Sequence, residues 1–234
     1  MERKIIVAID GHASCGKSTL ARQLANKLNY IYVDSGAMYR AVTLYFLENG
    51  IDYRNIGQMI ASLKNIRIGF QYNSKTGMPE TLLNGKVVEK EIRSMRISEE
   101  VSPVSAIKEV REFLVQQQQE MGKHKGLTMD GRDIGTVVFP EAELKIFLTS
   151  DEKIRAERRF VELKEKGIDV TMEAVIHNLS SRDYDDSHRK TSPLYKAGDA
   201  IELDNTFLSE EQQLAFAYNL VLEKIGELSN VNSQ

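Results

Sequence analysis

The sequence predicts a mainly parallel, doubly wound α/β fold in which five buried strands alternate with helices. Two observations support this prediction. Short apolar runs are separated by segments with helical spacing, and a glycine-rich phosphate-binding pattern follows the first run directly. A strand-helix order favours parallel pairing, with helices on both faces of the sheet. The 234 residues suffice for one such domain with a small inserted lobe.

The first strand, residues 5–9, leads into the pattern G-x-x-x-x-G-K-[ST]. The pattern comprises Gly11, His12, Ala13, Ser14, Cys15, Gly16, Lys17, Ser18 and Thr19. Backbone N–H groups of such a loop face an anion at the start of a helix, and three leucines at intervals of four mark that helix. Lys17 adds charge for the outer phosphates, and the Ser18 hydroxyl suits Mg²⁺. The motif predicts binding of a nucleoside triphosphate, the alternative being a turn without a ligand.

Composition limits the environment and the partners that we expect. Lys and Arg total 31 against 34 Asp and Glu, which gives a formal charge of −3. The chain therefore has no overall positive charge that would attract nucleic acid. The single Cys15 excludes a disulfide framework, suits a reducing cytosol, and is interpreted as a spacer of the loop rather than a reactive thiol. No apolar run reaches membrane length, and residues 1–4 lead straight into a strand. We therefore expect a soluble cytoplasmic protein without a membrane partner.

The second strand, residues 30–33, ends in a polar segment. That segment reads Asp34-Ser35-Gly36-Ala37-Met38-Tyr39-Arg40. Polar residues at the carboxyl end of a strand lie where open α/β sheets bind ligands. Two questions stay open: Asp34 or Ser35 either serves only to cap the next helix or contributes to a site, and Arg40 is either a surface charge or a bidentate phosphate ligand.

A small antiparallel sheet is predicted at about residues 64–95. The signals are period-two alternation over residues 66–70, a turn at residues 74–77, and Asn84-Gly85, the favoured dipeptide of a two-residue hairpin. The sheet carries no obvious chemistry, so we expect it to form a wall or lever over a substrate.

Ser102-Pro103 is expected to break the chain before an amphipathic helix. Arg111 lies on that helix and is either a functional residue or an exposed surface charge. Residues 116–119 are four glutamines, which we interpret as a solvated run.

The third strand, residues 126–129, ends in Asp130-Gly131-Arg132-Asp133-Ile134-Gly135. An acidic residue at the end of a strand beside a phosphate loop is the usual partner of Mg²⁺, which makes Asp130 the candidate. Arg132 and Asp133 are expected in the same crevice.

The fourth strand, residues 144–148, precedes a helix on which Arg155 and Arg159 share a face. Clustered like charge favours an anion nearby, unless the glutamates at 152, 157 and 162 compensate it. A later helix begins near Met172 and leads into a polar segment over residues 182–189. The last strand is predicted at residues 200–203, and Ser209 to Gln212 form a capping box for the C-terminal helix.

Arginines recur in several separate segments: Arg40, Arg132, Arg155, Arg159, Arg182 and Arg189. Phosphoryl transfer depends on positioning and charge neutralisation, which arginine and Mg²⁺ supply. An alcohol acceptor would need a general base, whereas a phosphate acceptor is already a nucleophile at neutral pH. The sequence fits the phosphate acceptor better. We expect the catalytic charges on Lys17, Arg132, Arg155 and Arg159.

Four stretches resemble the motif set of bacterial cytidylate (CMP/dCMP) kinases, a family of P-loop nucleoside monophosphate kinases. They are residues 11–19, residues 34–40, residues 130–140 (D-G-R-D-I-G-T-V-V-F-P) and Arg182-Asp183-x-x-Asp186-x-x-Arg189. The similarity runs over essentially the whole chain. It implies one P-loop kinase domain over residues 1–234, with a monophosphate-binding lobe at 35–125 that contains the small sheet and a lid region at 150–192. Within that region, the closing parts would be Arg155 to Lys166 and Asp183 to Lys190.

The resemblance also implies roles for individual residues. Ser102, Arg111 and Asp133 would recognise cytosine, Arg182 and Asp186 the sugar, and Arg40, Arg132 and Arg189 the acceptor phosphate, with Ser35 in the same CMP site. Residues 11–19 would bind ATP, and Ser18 and Asp130 would hold Mg²⁺. Asp suits the amino group of cytosine, because that group donates a hydrogen bond where uracil has a carbonyl.

The resemblance implies transfer of a phosphoryl group from ATP to CMP or dCMP, in pyrimidine nucleotide metabolism. We expect a monomer, although the sequence itself does not determine the oligomeric state. Two alternatives stay open: a P-loop kinase for another small acceptor, and a non-catalytic nucleotide-binding module. The absence of an N-K-x-D guanine signature disfavours a regulatory GTPase.

Overall fold

The computed structural model describes residues 3–73, 78–165 and 167–231. These residues separate into two compact units, one made of those within 1–32 and 121–234 and the other of those within 33–120. We call them the larger and the smaller unit. The turn predicted at residues 74–77 and Lys166 of the expected lid lie outside the described residues.

The described elements alternate largely as the sequence predicts. The strands are β1 (Ile6–Gly11), β2 (Ile31–Asp34), β3 (Ile68–Asn73), β4 (Met78–Leu83), β5 (Lys86–Val87), β6 (Leu127–Gly131), β7 (Leu144–Thr149) and β8 (Ile201–Asp204). The helices are α1 (Lys17–Leu28), α2 (Ser35–Glu48), α3 (Ile56–Leu63), α4 (Met95–Ser105), α5 (Lys108–Gly122), α6 (Glu152–Glu165), α7 (Met172–His188) and α8 (Glu210–Val231). A 3₁₀ turn (Glu91–Arg93) and a π turn (Ile134–Val138) complete the set.

Within the described residues, a five-stranded parallel sheet has the order β2-β6-β1-β7-β8. β1 pairs in parallel with β6 on one side and with β7 on the other. After β1, the chain first forms the strands on one side of it, β2 and β6, and then those on the other side, β7 and β8. The carboxyl end of β1 is thus the topological switch point, where open α/β sheets bind ligands. The five predicted core strands are confirmed.

The core of the larger unit forms where β1 is buried between helices α1 and α8. Val7 and Ile9 are fully buried, and they pack in one cluster with Leu20 and Leu24 of α1 and Val221 of α8. At α8, the predicted capping box is confirmed: the backbone N–H of Gln212 donates to Ser209 Oγ (3.2 Å), and the N–H of Ser209 donates to Gln212 Oε1 (2.9 Å). Such reciprocal bonds satisfy two N–H groups at the helix start.

The smaller unit contains the predicted antiparallel sheet, with strand order β3-β4-β5 in its described part. Asn84 (φ 50°) and Gly85 (φ 81°) form the turn between β4 and β5. Positive φ at both positions is the type I′ geometry that the dipeptide favours. No described helix is both long and apolar enough to cross a bilayer.

Two local predictions in this unit are wrong. Pro103 does not end a helix at its own position, since α4 runs on to Ser105. Pro103 lies in the last turn of α4, and the break between α4 and α5 follows two residues later. Gln118 is buried, with Nε2 at 3.7 Å from Met38 Sδ, and so is not part of a solvated run. Its position on the buried side of α5 overrides the polarity of its side chain.

Candidate active site

The phosphate-binding pattern lies between β1 and α1, at the switch point of the sheet. Gly11 (φ 151°) and Gly16 (φ 91°) have backbone conformations that suit glycine. A Cβ on Gly11 would lie 2.2 Å from the carbonyl oxygen of Leu148. The loop therefore approaches β7 as closely as a glycine allows. Cys15 is fully buried, which agrees with its interpretation as a spacer.

Lys17 is the first residue of α1 and is 5% exposed. Its Nζ donates to the carbonyl oxygen of His12 (2.5 Å) and lies 3.5 Å from Cys15 Sγ. Burial and the nearby Arg132 lower its pKa. An anion at the loop would favour the charged form of the side chain.

Ser18 and Asp130, the predicted Mg²⁺ ligands, contact each other. Ser18 Oγ donates to Asp130 Oδ2 (2.8 Å), and the hydroxyl of Tyr32 donates to Asp130 Oδ1 (2.9 Å). A hydroxyl and a carboxylate are hard oxygen ligands of the kind that Mg²⁺ prefers, so these residues fit a magnesium ion that keeps waters and phosphates as further ligands. Across the described ranges, no group of three or more His, Cys, Asp or Glu is arranged to hold a metal.

Asp10, which the sequence analysis missed, anchors the segment that follows β6. Its carboxylate accepts the backbone N–H groups of Ile134 (2.8 Å) and Gly135 (2.7 Å). Burial raises its pKa to about 6, with the two N–H bonds opposing the rise. Its position directly before Gly11, at the end of β1, was the only signal in the sequence.

Arg132 and Arg189 converge on one carboxylate of α7. Arg132 Nε donates to Asp186 Oδ2 (2.7 Å), and Arg189 Nη1 donates to Asp186 Oδ1 (3.3 Å). Arg189 Nη2 also lies 3.8 Å from Asp133 Oδ1. Burial raises the pKa of Asp186, but Arg132, Arg189 and the neighbouring Arg182 more than offset this, so that the pKa is lowered. Residues 182–188 of the polar segment predicted to follow this helix are in fact the last part of α7, and Arg189 is its C-cap, three residues after Asp186.

Of the two arginines predicted to share a face of α6, one contacts the phosphate loop. Arg155 Nη1 donates to the carbonyl oxygen of Ala13 (3.1 Å) and to Asp183 Oδ2 (2.5 Å). Arg159 Nη1 instead donates to Glu162 Oε2 (2.8 Å), which is one of the compensating glutamates weighed from the sequence. The two side chains therefore have different surroundings.

In the smaller unit, Asp34 holds two arginines. Its Oδ1 accepts the N–H of Ala37 (2.8 Å), which makes it the cap of α2. Its Oδ2 accepts from Arg40 Nη2 (2.9 Å) and from Arg93 Nη2 (2.9 Å). Burial raises the pKa of Asp34, but the two guanidinium groups more than offset this and lower it to about 2. Arg93 had no signal in the sequence, because it lies 59 residues from Asp34.

Arg111 is 2% exposed and not a surface charge. Its Nη1 donates to the carbonyl oxygen of Ser105 (2.9 Å), and its guanidinium lies 5.2 Å from the ring centroid of Tyr39. Ser102 lies on α4, where its carbonyl oxygen accepts from Ser105 Oγ (2.9 Å). Ser35, the first residue of α2, is buried.

The parallel sheet with a glycine-rich loop at its switch point, followed by a buried lysine, defines an α/β protein of the P-loop nucleotide-binding class. The family model described as cytidylate kinase matches residues 7–223. Curated relatives agree over most of their length. A cytidylate kinase of Bacteroides thetaiotaomicron is 57% identical over 90% of this chain and 93% of its own, and one of Flavobacterium johnsoniae is 53% identical over 94% and 96%. The chain belongs to the cytidylate kinase family.

Proposed function

We propose that this chain transfers the γ-phosphoryl group of ATP to CMP or dCMP, giving CDP or dCDP. The observation that carries the proposal is the pair of cationic side chains beside the phosphate loop, the buried Lys17 and the half-buried Arg132, in a chain of this family. We further propose that it acts as a monomer in the cytoplasm, in keeping with its one buried cysteine.

Residues 11–19 would bind the ATP phosphates through backbone N–H groups and Lys17. Ser18 and Asp130 would hold Mg²⁺, which neutralises charge on the phosphates when it is bound. The bond between Ser18 Oγ and Asp130 Oδ2 supports this assignment, because it places the two oxygens side by side.

The acceptor is itself a phosphate, so the transfer requires no general base. It requires cations that offset repulsion between two polyanions. Arg40, Arg132 and Arg189 would bind the acceptor phosphate. Each is held by a carboxylate, Asp186 or Asp34, which fixes its guanidinium before substrate arrives. Arg155 and Arg159 would contribute further charge, and Arg182 and Asp186 would bind the sugar.

Ser102, Arg111 and Asp133 would recognise the base, with Ser35 in the same site. Asp133 is 4% exposed, and its Oδ1 lies 3.8 Å from Arg189 Nη2. An ionised carboxylate accepts hydrogen bonds only, so it fits the amino group of cytosine and repels the carbonyl of uracil.

A coupled assay with ATP-Mg²⁺ tests the activity. We expect CMP and dCMP to be phosphorylated with a kcat/KM at least about 100-fold above that for UMP or AMP, since an unpaired buried polar group costs several kcal/mol. ATP consumption without any monophosphate should be negligible. Preference for AMP would contradict the assignment, and the absence of ATP consumption with any of the monophosphates would favour the non-catalytic module.

The Asp133→Asn variant tests recognition of the base. A side-chain amide both donates and accepts, so we expect the ratio of kcat/KM for CMP to that for UMP to fall by about tenfold or more. The ratio is measured with both acceptors on one preparation. A ratio equal to that of the unsubstituted protein would exclude Asp133 from this role.

A further inference from the structure

Asp183 lies on α7, three residues before Asp186, and contacts the phosphate loop. Its Oδ1 accepts the backbone N–H of Ala13 (3.1 Å) and lies 3.5 Å from His12 Nδ1. Its Oδ2 accepts from Arg155 Nη1 (2.5 Å). A carboxylate of one helix therefore links the loop to a buried arginine of another.

The bond to Ala13 acts on a peptide group that also contacts Lys17. The N–H of Ala13 and the carbonyl of His12 belong to the same planar peptide unit. Asp183 accepts from the N–H of this unit, and Lys17 Nζ donates to its carbonyl oxygen (2.5 Å). One peptide plane is thus held by a carboxylate on one side and by the phosphate-binding lysine on the other.

The next peptide unit is held as well. The carbonyl oxygen of Ala13 accepts from Arg155 Nη1 (3.1 Å), and Ser14, which follows, has a φ of 56°. A non-glycine residue in this region requires surrounding contacts to keep it there. Both peptide groups of Ala13 are therefore fixed by the Asp183–Arg155 ion pair.

Packing reinforces these polar contacts. The side chain of Ala13 is 2% exposed and belongs to an apolar cluster with Ala156 and Leu163 of α6 and Val175 and Leu179 of α7. Ala13 therefore packs against both α6 and α7. Burial raises the pKa of Asp183, but the nearby His12 ring and the bonds from Arg155 and Ala13 more than offset this and lower it to about 2, so the carboxylate is charged at neutral pH.

We propose that Asp183 is a positioning residue for ATP: it orients the His12–Ala13 peptide, and through that peptide it places Lys17 for the phosphates. This inference rests on the proposed function, since it assigns ATP to the loop. It predicts that loss of the Asp183 carboxylate weakens ATP binding selectively, because CMP would be bound by other side chains.

The test compares Asp183→Ala with Asp185→Ala, a matched control on the same helix with an exposed carboxylate. For Asp183→Ala we expect KM for ATP to rise about tenfold, as for loss of one charge-assisted hydrogen bond, while KM for CMP changes less than about twofold. The control should change neither constant by more than about twofold, the range of ordinary surface substitutions. An equal rise in both KM values, or no rise for ATP, would overturn the proposal.

A second variant tests the proposal even if Asp183→Ala does not fold. Asp183→Asn keeps an oxygen for the Ala13 N–H but removes the charge that pairs with Arg155, so we expect a smaller rise in KM for ATP, about threefold. In the same variant, hydrogen exchange of the Ala13 amide should accelerate relative to the unsubstituted protein. Unchanged KM for ATP together with unchanged exchange would overturn the proposal.

These readouts separate failure of the inference from failure of the proposed function. If the unsubstituted protein does not phosphorylate CMP, the proposed function is wrong. Titration calorimetry with ATP-Mg²⁺ still compares Asp183→Ala with Asp185→Ala in that case. About tenfold weaker ATP binding in the first variant alone would support the positioning role, and equal affinities would overturn it.

Discussion

Two helices of the smaller unit, α2 and α3, begin in the same way. Asp34 caps α2 and Asn55 caps α3, and in each case the side-chain oxygen accepts the N–H of the third residue along, at 2.8 and 3.1 Å. The caps have almost the same backbone angles, φ −84° and ψ 97° against φ −83° and ψ 94°. Each helix also has glycine as its second residue, Gly36 and Gly57. Locally, the two helix starts are equivalent.

They differ in the second polar atom of the capping side chain, which is an oxygen in Asp34 and an amide nitrogen in Asn55. Asp34 Oδ2 accepts from Arg40 and Arg93, whereas Asn55 is an exposed cap that carries no charge. The same capping signal thus marks a structural helix start at α3 and a candidate site at α2. The comparison answers the question left open by the sequence: Asp34 caps its helix and also positions arginines.

The largest effect is expected from Asp34→Asn, which separates the two roles. Asn caps helices as well as Asp does, so the bond to the Ala37 N–H is retained, but the negative partner of Arg40 and Arg93 is lost. We expect KM for CMP to rise about tenfold or more with KM for ATP little changed, as for a residue that orients a charged ligand. Steady-state kinetics with each substrate varied in turn measures the split.

The control for this variant is Asn55→Ala. It should cost about 1 kcal/mol of stability through loss of the cap and leave both KM values unchanged. A loss of stability in Asp34→Asn without any change in KM for CMP would mean that the α2 start is as purely structural as that of α3.

The same variant has a pH signature. Because the folded pKa of Asp34 is lowered to about 2, its stabilisation is present above the unfolded pKa and is lost as pH falls from about 4 toward 2. The free energy of unfolding of the unsubstituted protein should therefore decrease across this range by about 2 kcal/mol more than that of Asp34→Asn. Denaturant unfolding at several pH values checks this. Parallel curves would contradict it.

Most of the sheet and the phosphate loop were predictable from the sequence because their signals are local. The buried run before Gly11 and the spacing of the leucines in α1 predict the strand, loop and helix without distant information. The hairpin at Asn84-Gly85 is equally local, since two positive φ values require such residues.

The partners of the site residues were not predictable in the same way. Arg93 meets Asp34 across 59 residues, and Asp183 meets Ala13 across 170. Neither pairing leaves a periodicity or a motif, because it is set by how the elements pack. The burial of Gln118 and the extension of α4 past Pro103 are tertiary effects of the same kind. Sequence reasoning therefore identified candidate ligands, and Asp34, Asp183 and Asp186 as residues of interest, but not which side chain holds which.

A smaller effect is expected from Gly36→Ala, because the added methyl group would crowd Asp34 and Arg40. A Cβ on Gly36 would lie 3.0 Å from Arg40 Nη1 and 3.1 Å from Asp34 Oδ1, whereas a Cβ on Gly57 would meet only Asn55 Oδ1, at 3.7 Å. We expect Gly36→Ala to displace Arg40 and raise KM for CMP by about threefold to fivefold, the range of a small loss of fit. Gly57→Ala should raise stability by up to about 1 kcal/mol through helix propensity, with KM unchanged. If the two alanine variants had the same KM for CMP, the space beside Gly36 would not be needed to place Arg40.

The smallest effect is expected from Asn55→Asp, which gives the α3 start the charge that α2 already has. A carboxylate at a helix N-terminus is stabilised by the helix dipole, although Asp52 nearby opposes it. Arg54 donates its backbone N–H to Asp52 Oδ1 (3.0 Å), which keeps that like charge close to the cap. We expect a gain of only about 0.3 kcal/mol at pH 7, lost as pH falls below about 4, with no change in KM for either substrate. A change in KM for CMP would show that charge at either helix start acts on the substrate over a distance, rather than through the arginines that Asp34 holds.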